Sequence, residues 1–422
     1  MEAVICFFKG EKLFKNTFLF LLLPALCNCA SFGRGIADAV IAKDEVKLER
    51  CEIEGFDYDG ASQAFKGPQP LKMLMVHGVG THHPGYSERL QENLADSLKL
   101  NVRSRLAKNI YLRDPQHPDI PIGNLRITYW QNRDKSKNLL FYELTWSEIT
   151  APDKKIIAFD TDEQYSKFRV PFNNVMKDFL DNTLPDPLVY VTDPDGLILD
   201  SSQQAMCWML NTDWNNIPDG QAVSCQIDPA KLSGKLKEQN VMFVTHSLGS
   251  KIVMDALTEG SEAISGGTNR TLLQDKEITI FMLANQLPIL QISHPMPKVH
   301  NQINAYCSPG GSHYRERIFK GINIVAFSDP NDILSYAIPQ TFADKYIDSR
   351  LCPRVTNVSV NVAPEISAFG YGIVNPVSAH TNYDNDTKVI ELISNGTENF
   401  NHDKPLENQC HFVLMEKDNK MK

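Results

Sequence analysis

The sequence has no excess of basic residues. Lys and Arg number 42 against 51 Asp and Glu, a net charge of -9. No broad cationic surface is available for a phosphate backbone, which excludes a general nucleic-acid binder. There is no C-x-x-C pair and no Cys/His cluster with ligand spacing, so a zinc site is not expected. The glycine-rich loop at 78–80 is not followed by Lys-Ser or Lys-Thr, which excludes a phosphate-binding P-loop. Internal repeats and low-complexity tracts are also missing. The apolar run Phe18 to Leu26 is too short to span a bilayer comfortably.

What is present suits a large globular chain. Of 422 residues, 42% are hydrophobic and 22% charged, enough to bury a sizeable core. Lys9, Lys12 and Lys15 precede the apolar run, so residues 1–30 read as a secretory signal peptide. Two endings of this leader stand side by side. Cys27-Asn28-Cys29 offers small residues for cleavage, and Leu26 to Ser31 resembles a bacterial lipobox that would lipidate Cys29 and tether the chain to a membrane. Asn28 departs from the small residue usual before a lipobox cysteine. Nine cysteines occur, three of them in the leader. The other six permit up to three disulfides in an exported protein, with fifteen connectivities open. Cys207 and Cys225 flank a polar loop and are the first choice for one bridge.

Residues 31–68 read as an irregular lead-in ending at Gly67-Pro68. Apolar runs then mark strands at Lys72–Val76, Leu125–Trp130, Leu139–Trp146, Val241–Val244, Ile278–Leu283, Ile322–Phe327 and Val355–Val362. Helical patterns separate several of them. Alternating β and α with near-continuous apolar strands predicts an α/β fold with a mostly parallel sheet covered on both faces. Residues 151–235 break this rhythm. Phe168, Phe172, Val175, Met176 and Phe179 recur at helical spacing with Pro171 in the first turn, and a second helix is expected from Leu197 to Leu210. One strand-like run, Leu188–Val191, interrupts the block. It is expected to be a helical cap whose aromatic and methionine stripe covers an acyl pocket or packs onto the core. The tail 397–422 is polar and expected to be loose, with Phe412–Met415 able to dock.

The chemistry gathers at three places. Val241–Val244 runs into Thr245-His246-Ser247-Leu248-Gly249, and Ile252, Val253, Ala256 and Leu257 repeat at helical spacing after it. A serine at a sharp strand-to-helix corner is a nucleophile elbow, whose strain lifts the hydroxyl above the sheet and sets it at a helix N-terminus. Small residues are needed two positions either side of the serine, and Thr245 stands where glycine is usual. The alternative is that Ser247 only caps the helix. The loop after the first strand, His77-Gly78-Val79-Gly80, has glycines that let backbone approach a reacting group. His82 and His83 beyond it line the entrance or cap the next helix. After the strand Ile322–Phe327 comes Asp329-Pro330-Asn331-Asp332, and after the strand Val355–Val362 comes Ser378-Ala379-His380-Thr381.

These motifs resemble the α/β-hydrolase superfamily. The serine turn is similar to the T-H-S-x-G variant of bacterial lipases and related esterases. The acid turn resembles that of class 3 (fungal-type) triacylglycerol lipases, where Asn-Asp-Ile-Val-Pro precedes Leu-Pro. The resemblance covers residues 70–396 without the cap, and it implies an α/β-hydrolase domain over 69–396 with cap insertion at about 151–235. It implies Ser247 as nucleophile, His380 as base and Asp332 as acid, with Asp329 second choice. The oxyanion donors would be the N–H groups of Val79 and Leu248, on a loop shaped by His77, Gly78 and Gly80. His246 is given no catalytic role. It further implies ester hydrolysis through an acyl-enzyme with no metal or organic cofactor. The substrate would be an acyl ester or phospholipid, met by an exported enzyme that reaches a membrane surface through its N-terminus. Alternatives are a small-ester esterase or thioesterase, a protease or amidase on the same fold, and an inactive surface lipoprotein.

Overall fold

A computed structural model of the chain describes residues 51–397 and 410–416, apart from 103, 105, 194–195, 227–228, 266–269, 293 and 369–370. The expected leader at 1–30 lies outside the described residues, as do the first part of the lead-in and the tail at 398–409 and 417–422. In chain order the strands are β1 Cys51–Phe56, β2 Leu71–Val76, β3 Asn101–Val102, β4 Lys108–Arg113, β5 Pro121–Gln131, β6 Asn138–Thr145, β7 Gln221–Val223, β8 Asn240–His246, β9 Glu277–Leu283, β10 Gly321–Ser328, β11 Pro353–Val360, β12 Glu365–Ala368, β13 Tyr371–Val374 and β14 His411–Glu416. The principal helices are α1 Glu88–Leu98, α2 Ala151–Ile157, α3 Pro171–Thr183, α4 Pro185–Thr192, α5 Leu197–Asn211, α6 Pro229–Glu238, α7 Gly249–Ser265, α8 Pro376–Thr381 and α9 Thr387–Asn395. Apart from residues 366–373, the described chain folds as one compact unit.

Twelve strands form one mixed sheet in the order β14-β1-β11-β10-β9-β8-β2-β6-β5-β4-β7, with β3 paired to β5; β12 and β13 make a separate two-stranded sheet. The centre, from β6 through β2, β8, β9 and β10 to β11, is parallel. The expectation of an α/β fold with a mostly parallel sheet therefore holds. Strand β2 is buried along its whole length. Its side chains alternate between two apolar layers: Leu74 and Val76 join one with Ile198, Met209, Ile252 and Val253, while Leu71, Met73 and Met75 join the other with Leu90, Leu94, Val389 and Leu392. Period-2 alternation buried on both faces is why the strand reads as an unbroken apolar run. Lys72, in that same run, is fully buried. Its Nζ donates to Met209 O at 2.8 Å and Thr212 O at 2.6 Å, so it satisfies carbonyls left open at the end of α5.

The boundaries of the expected regions shift. The lead-in is not irregular at its end, because β1 is antiparallel to β11 and a helical turn follows at Ala61–Ala64. Within the tail, Phe412–Met415 docks as expected, because β14 pairs in parallel with β1 as the edge strand. A disulfide between Cys51 and Cys410, 359 residues apart, ties these two strands together. Cys207–Cys225, expected from the sequence, is formed, and Cys307–Cys352 is the third bridge.

The cap is smaller than the 151–235 expected. Helices α2, α3 and α4 form it, and the strand-like run Leu188–Val191 lies inside α4. Helix α5 leaves the cap and covers the sheet, its Ile198, Ala205 and Met209 lying in the same apolar layer as Leu74. Strand β7 joins the sheet edge beside β4. Of the expected stripe, Phe168, just ahead of α3, is 91% exposed and Val175 on α3 67%. Among the described residues no helix is long and apolar enough to cross a membrane.

Candidate active site

Chain order in the sheet reverses at β2. Strand β6 lies on one side of it, and β8 lies on the other. Loops leaving the C-terminal ends of the adjacent strands β2 and β8 therefore lie side by side, at the end of the sheet where open α/β sheets place their ligands. Those two loops carry His77–Gly80 and Ser247.

Ser247 occupies the corner between β8 and α7 with φ 56°, a left-handed conformation that costs a non-glycine residue energy. Its N–H donates to Leu283 O at 2.9 Å, which pins the corner to the end of β9. The close packing has a measurable source. A methyl group on Gly249 would lie 2.3 Å from Val76 O, and one on Gly78 would lie 2.4 Å from Ser247 Cβ and 2.9 Å from its Oγ. Glycine at these two positions lets the β2 loop and the α7 start meet the serine. Thr245, in place of the usual glycine, is buried, and its Oγ1 lies 3.3 Å from Ser250 Oγ across the corner.

Asp332 and His380 come together. His380 Nδ1 and Asp332 Oδ2 are 2.8 Å apart. A carboxylate only accepts, so Nδ1 carries the proton and Nε2 is left as an acceptor. Burial opposes ionisation of Asp332, but the His380 hydrogen bond and charge, with the Leu334 N–H and Ser335 hydroxyl, hold its carboxyl below the usual range. Asp329 has different work: its oxygens accept from the N–H groups of Asn331 at 2.8 Å and Val362 at 2.7 Å, which ties the β10 and β11 loops together. His380 sits in the short helix α8, whose N-terminus is capped by Asn375. Ser247 Oγ and His380 Nε2 are both buried and neither has a hydrogen-bond partner among the described residues. The unpaired donor and unpaired acceptor belong to one corner, since His246, the neighbour of Ser247, donates Nε2–H to His380 O at 2.8 Å.

That contact gives His246 a role the sequence reading did not assign. Burial first, then the neighbouring His380, brings its imidazole down to about 3, so it stays neutral and keeps the hydrogen it donates. No local pattern signals this, because its partner lies 134 residues away.

The loop after β2 is clamped by its own side chains. Trp146 N–H donates to His77 Nε2 at 3.1 Å, which leaves Nδ1 as the protonated nitrogen that donates to Gly78 O at 2.7 Å. Burial, with His82 next, keeps this imidazole well below its ordinary range and therefore neutral. Its ring stacks between His82, at 4.2 Å, and Trp146, at 4.5 Å. His82 donates Nε2–H to Val79 O at 3.1 Å. It thus clamps the loop and does not cap α1, whose N-cap residue is Ser87, while His83 is exposed. Gly80 is needed for its φ of 103° rather than for close approach. At the far end, buried Glu143 accepts from the N–H groups of Gly85 and Ser87. In a planar trans peptide the C=O and N–H point opposite ways. With Gly78 O turned to His77, the N–H of Val79 points away from it. Among the described residues no hydrogen bond takes the N–H of Val79 or Leu248.

No family model, no curated protein and no solved structure matches this chain.

Proposed function

We propose that this chain is a serine ester hydrolase of α/β-hydrolase type. The observation that carries the reading is Ser247 at φ 56° on a strand-to-helix corner whose His246 bonds to His380, itself paired to Asp332. In this reading Ser247 Oγ attacks an acyl carbonyl while His380 Nε2 takes its proton. Asp332 holds the imidazole in the tautomer this needs and balances its charge. The N–H groups of Val79 and Leu248 receive the oxyanion, aided by the N-terminus of α7. His380 then gives the proton to the departing alcohol, and water cleaves the acyl-enzyme by the same steps in reverse.

A lipid substrate is favoured by the cap. Ile156 at 69%, Phe168, Val175, Leu184 and Leu188 are all large apolar side chains exposed in this region. Exposed apolar side chains of this kind suit contact with acyl chains. The reading is therefore a lipase or phospholipase-A-type acyl hydrolase. Three disulfides suit an exported chain.

A fluorophosphonate probe tests the chemistry, and a p-nitrophenyl ester series from acetate to palmitate, with a phospholipid arm, tests the substrate. Wild type should label and Ser247→Ala should not, with turnover rising toward long chains. Folded wild type that fails to label would leave the fold without the chemistry, as in an inactive surface lipoprotein. Preference for acetate would point to a small-ester esterase.

A further inference from the structure

Two consecutive peptide planes set the direction of the Val79 N–H, and one clamp on them comes from the cap. The plane joining Gly78 to Val79 is held at its carbonyl by His77. The plane joining Val79 to Gly80 is held at its carbonyl by His82 and at its N–H by Asp186 Oδ2, at 2.6 Å. Rigid planes on both sides fix both torsions of Val79. His77 and His82 belong to the loop itself. Asp186 lies in the first turn of α4, 106 residues beyond Gly80.

The Asp186 carboxylate is fully buried. Its other oxygen accepts from Thr150 Oγ1 at 2.6 Å, and Lys154 Nζ lies 2.9 Å from one oxygen and 3.0 Å from the other. A buried carboxylate is tolerated when it is paired and its lone pairs are filled, and losing one partner is costly. A second cap contact, Thr81 Oγ1 to Asn182 Oδ1 at 2.8 Å, runs beside it. The cap thus grips the oxyanion loop through a charged group placed one peptide from the donor.

We propose that Asp186 is a positioning residue that makes seating of the cap and assembly of the oxyanion site a single event. With the cap seated, Gly80 N–H is held and Val79 N–H is aimed. With Asp186 withdrawn, the plane between Val79 and Gly80 loses one of its two clamps and the donor wanders. This inference rests on the hydrolase reading, and its test separates the two.

Asp186→Asn keeps an acceptor oxygen for Gly80 N–H, whereas Asp186→Ala removes it. Both are compared with wild type for kcat and KM on p-nitrophenyl butyrate and for backbone hydrogen exchange. Asp186→Ala should lower kcat by about tenfold to a hundredfold with KM little changed, the signature of a group needed in the transition state. Exchange should rise over 77–87 while β8 stays protected. Asp186→Asn should recover most of the lost kcat. Unchanged kcat in the alanine variant, or unchanged exchange over 77–87, would overturn the proposal. So would equal kinetic loss in both variants with protection lost throughout the chain, which would make Asp186 an ordinary stabilising residue. If wild type neither labels nor turns over, the hydrolase reading fails instead. The exchange result would then still decide whether Asp186 holds the loop.

Discussion

His380 directs its Nδ1 to Asp332 Oδ2 at 2.8 Å, while Asp329, three positions earlier, is occupied by backbone N–H groups of its own loop and the next. The two carboxylates should therefore fail differently. Asp332→Asn presents an amide where the imidazole needs an acceptor, and the wrong tautomer follows. A loss in kcat on the order of 10⁴ is expected, with the thermal transition nearly unchanged. Asp329→Asn should cost roughly 1–3 kcal/mol of stability through orphaned N–H groups and keep most of the activity. Kinetics and melting of the two variants decide it; a larger kinetic loss at Asp329 would reverse the assignment.

The hydrogen bond from His246 to His380 O predicts a second, smaller effect. His246→Phe fills the space but removes the donor, so α8 loses its tie to the serine corner. A drop in kcat of about tenfold is expected, the rough worth of one hydrogen bond. His246→Gln, which can still donate, should restore part of it. Equal activity in the phenylalanine variant would show that the contact does not position the base.

Close approach at the corner gives a third expectation. A methyl on Gly249 would sit 2.3 Å from Val76 O, backbone against backbone, with no flexible side chain to yield. Gly249→Ala should destabilise the fold by roughly 1–3 kcal/mol, as overpacking does. It should also displace Ser247 enough to abolish fluorophosphonate labelling. A variant that melts like wild type and labels at the wild-type rate would contradict the packing described here.

Much of this was legible in the sequence because it is local. An apolar strand, a serine corner and an amphipathic helix lie within one stretch, from Asn240 to Ser265. Runs buried on both faces announced the parallel strands. What could not be read depends on distant partners. Strand β1 contains Glu52, Glu54 and Gly55, a weak strand signal, and exists because β11 and β14 flank it. Helix α5 reads as cap because it falls in the block 151–235 that breaks the strand–helix rhythm, yet it lies on the sheet. Asp186 and His246 have no motif at all, since each acts on a residue more than a hundred positions away. The acid, base and nucleophile proposed here follow from order along the chain; the groups that hold them appear only in space.

A pH effect follows from Asp200 on α5. Burial, with Asp114, Glu259 and Asp193 nearby, raises its carboxyl to about 6. The folded state then holds this proton more tightly than the unfolded chain, whose carboxyl titrates near ~4. Between those values the folded state binds more protons, so stability falls as pH rises from about 4 to about 6 and stays lowered above that. Asp200 is partly exposed, so solvent screening trims the effect to on the order of 1 kcal/mol. Asp200→Asn should raise the melting temperature at pH 7.5 and leave it unchanged at pH 4. A gain of equal size at both pH values would mean the charge is not the cause.

The Cys51–Cys410 bridge predicts where the fold opens first. Among the described residues, strand β14 is the sheet's outermost strand on that side and pairs only with β1. An edge strand with one neighbour has few ladder bonds to hold it, so the disulfide is its main restraint. In the chain-entropy picture the stabilisation grows with the loop closed, and this loop spans 359 residues against 18 for Cys207–Cys225. That growth counts only while β14 unfolds together with the rest. Because β14 can fray by itself, Cys410→Ser should free it locally rather than release the full loop term. Exchange protection should disappear over 410–416, and the melting temperature should fall by a few degrees, an amount consistent with roughly 1–2 kcal/mol. The serine corner at the end of β8 is separated from β14 by β1, β11, β10 and β9, so kcat should stay within about twofold of wild type. A large loss of turnover would show that the edge pair supports the site across those four strands.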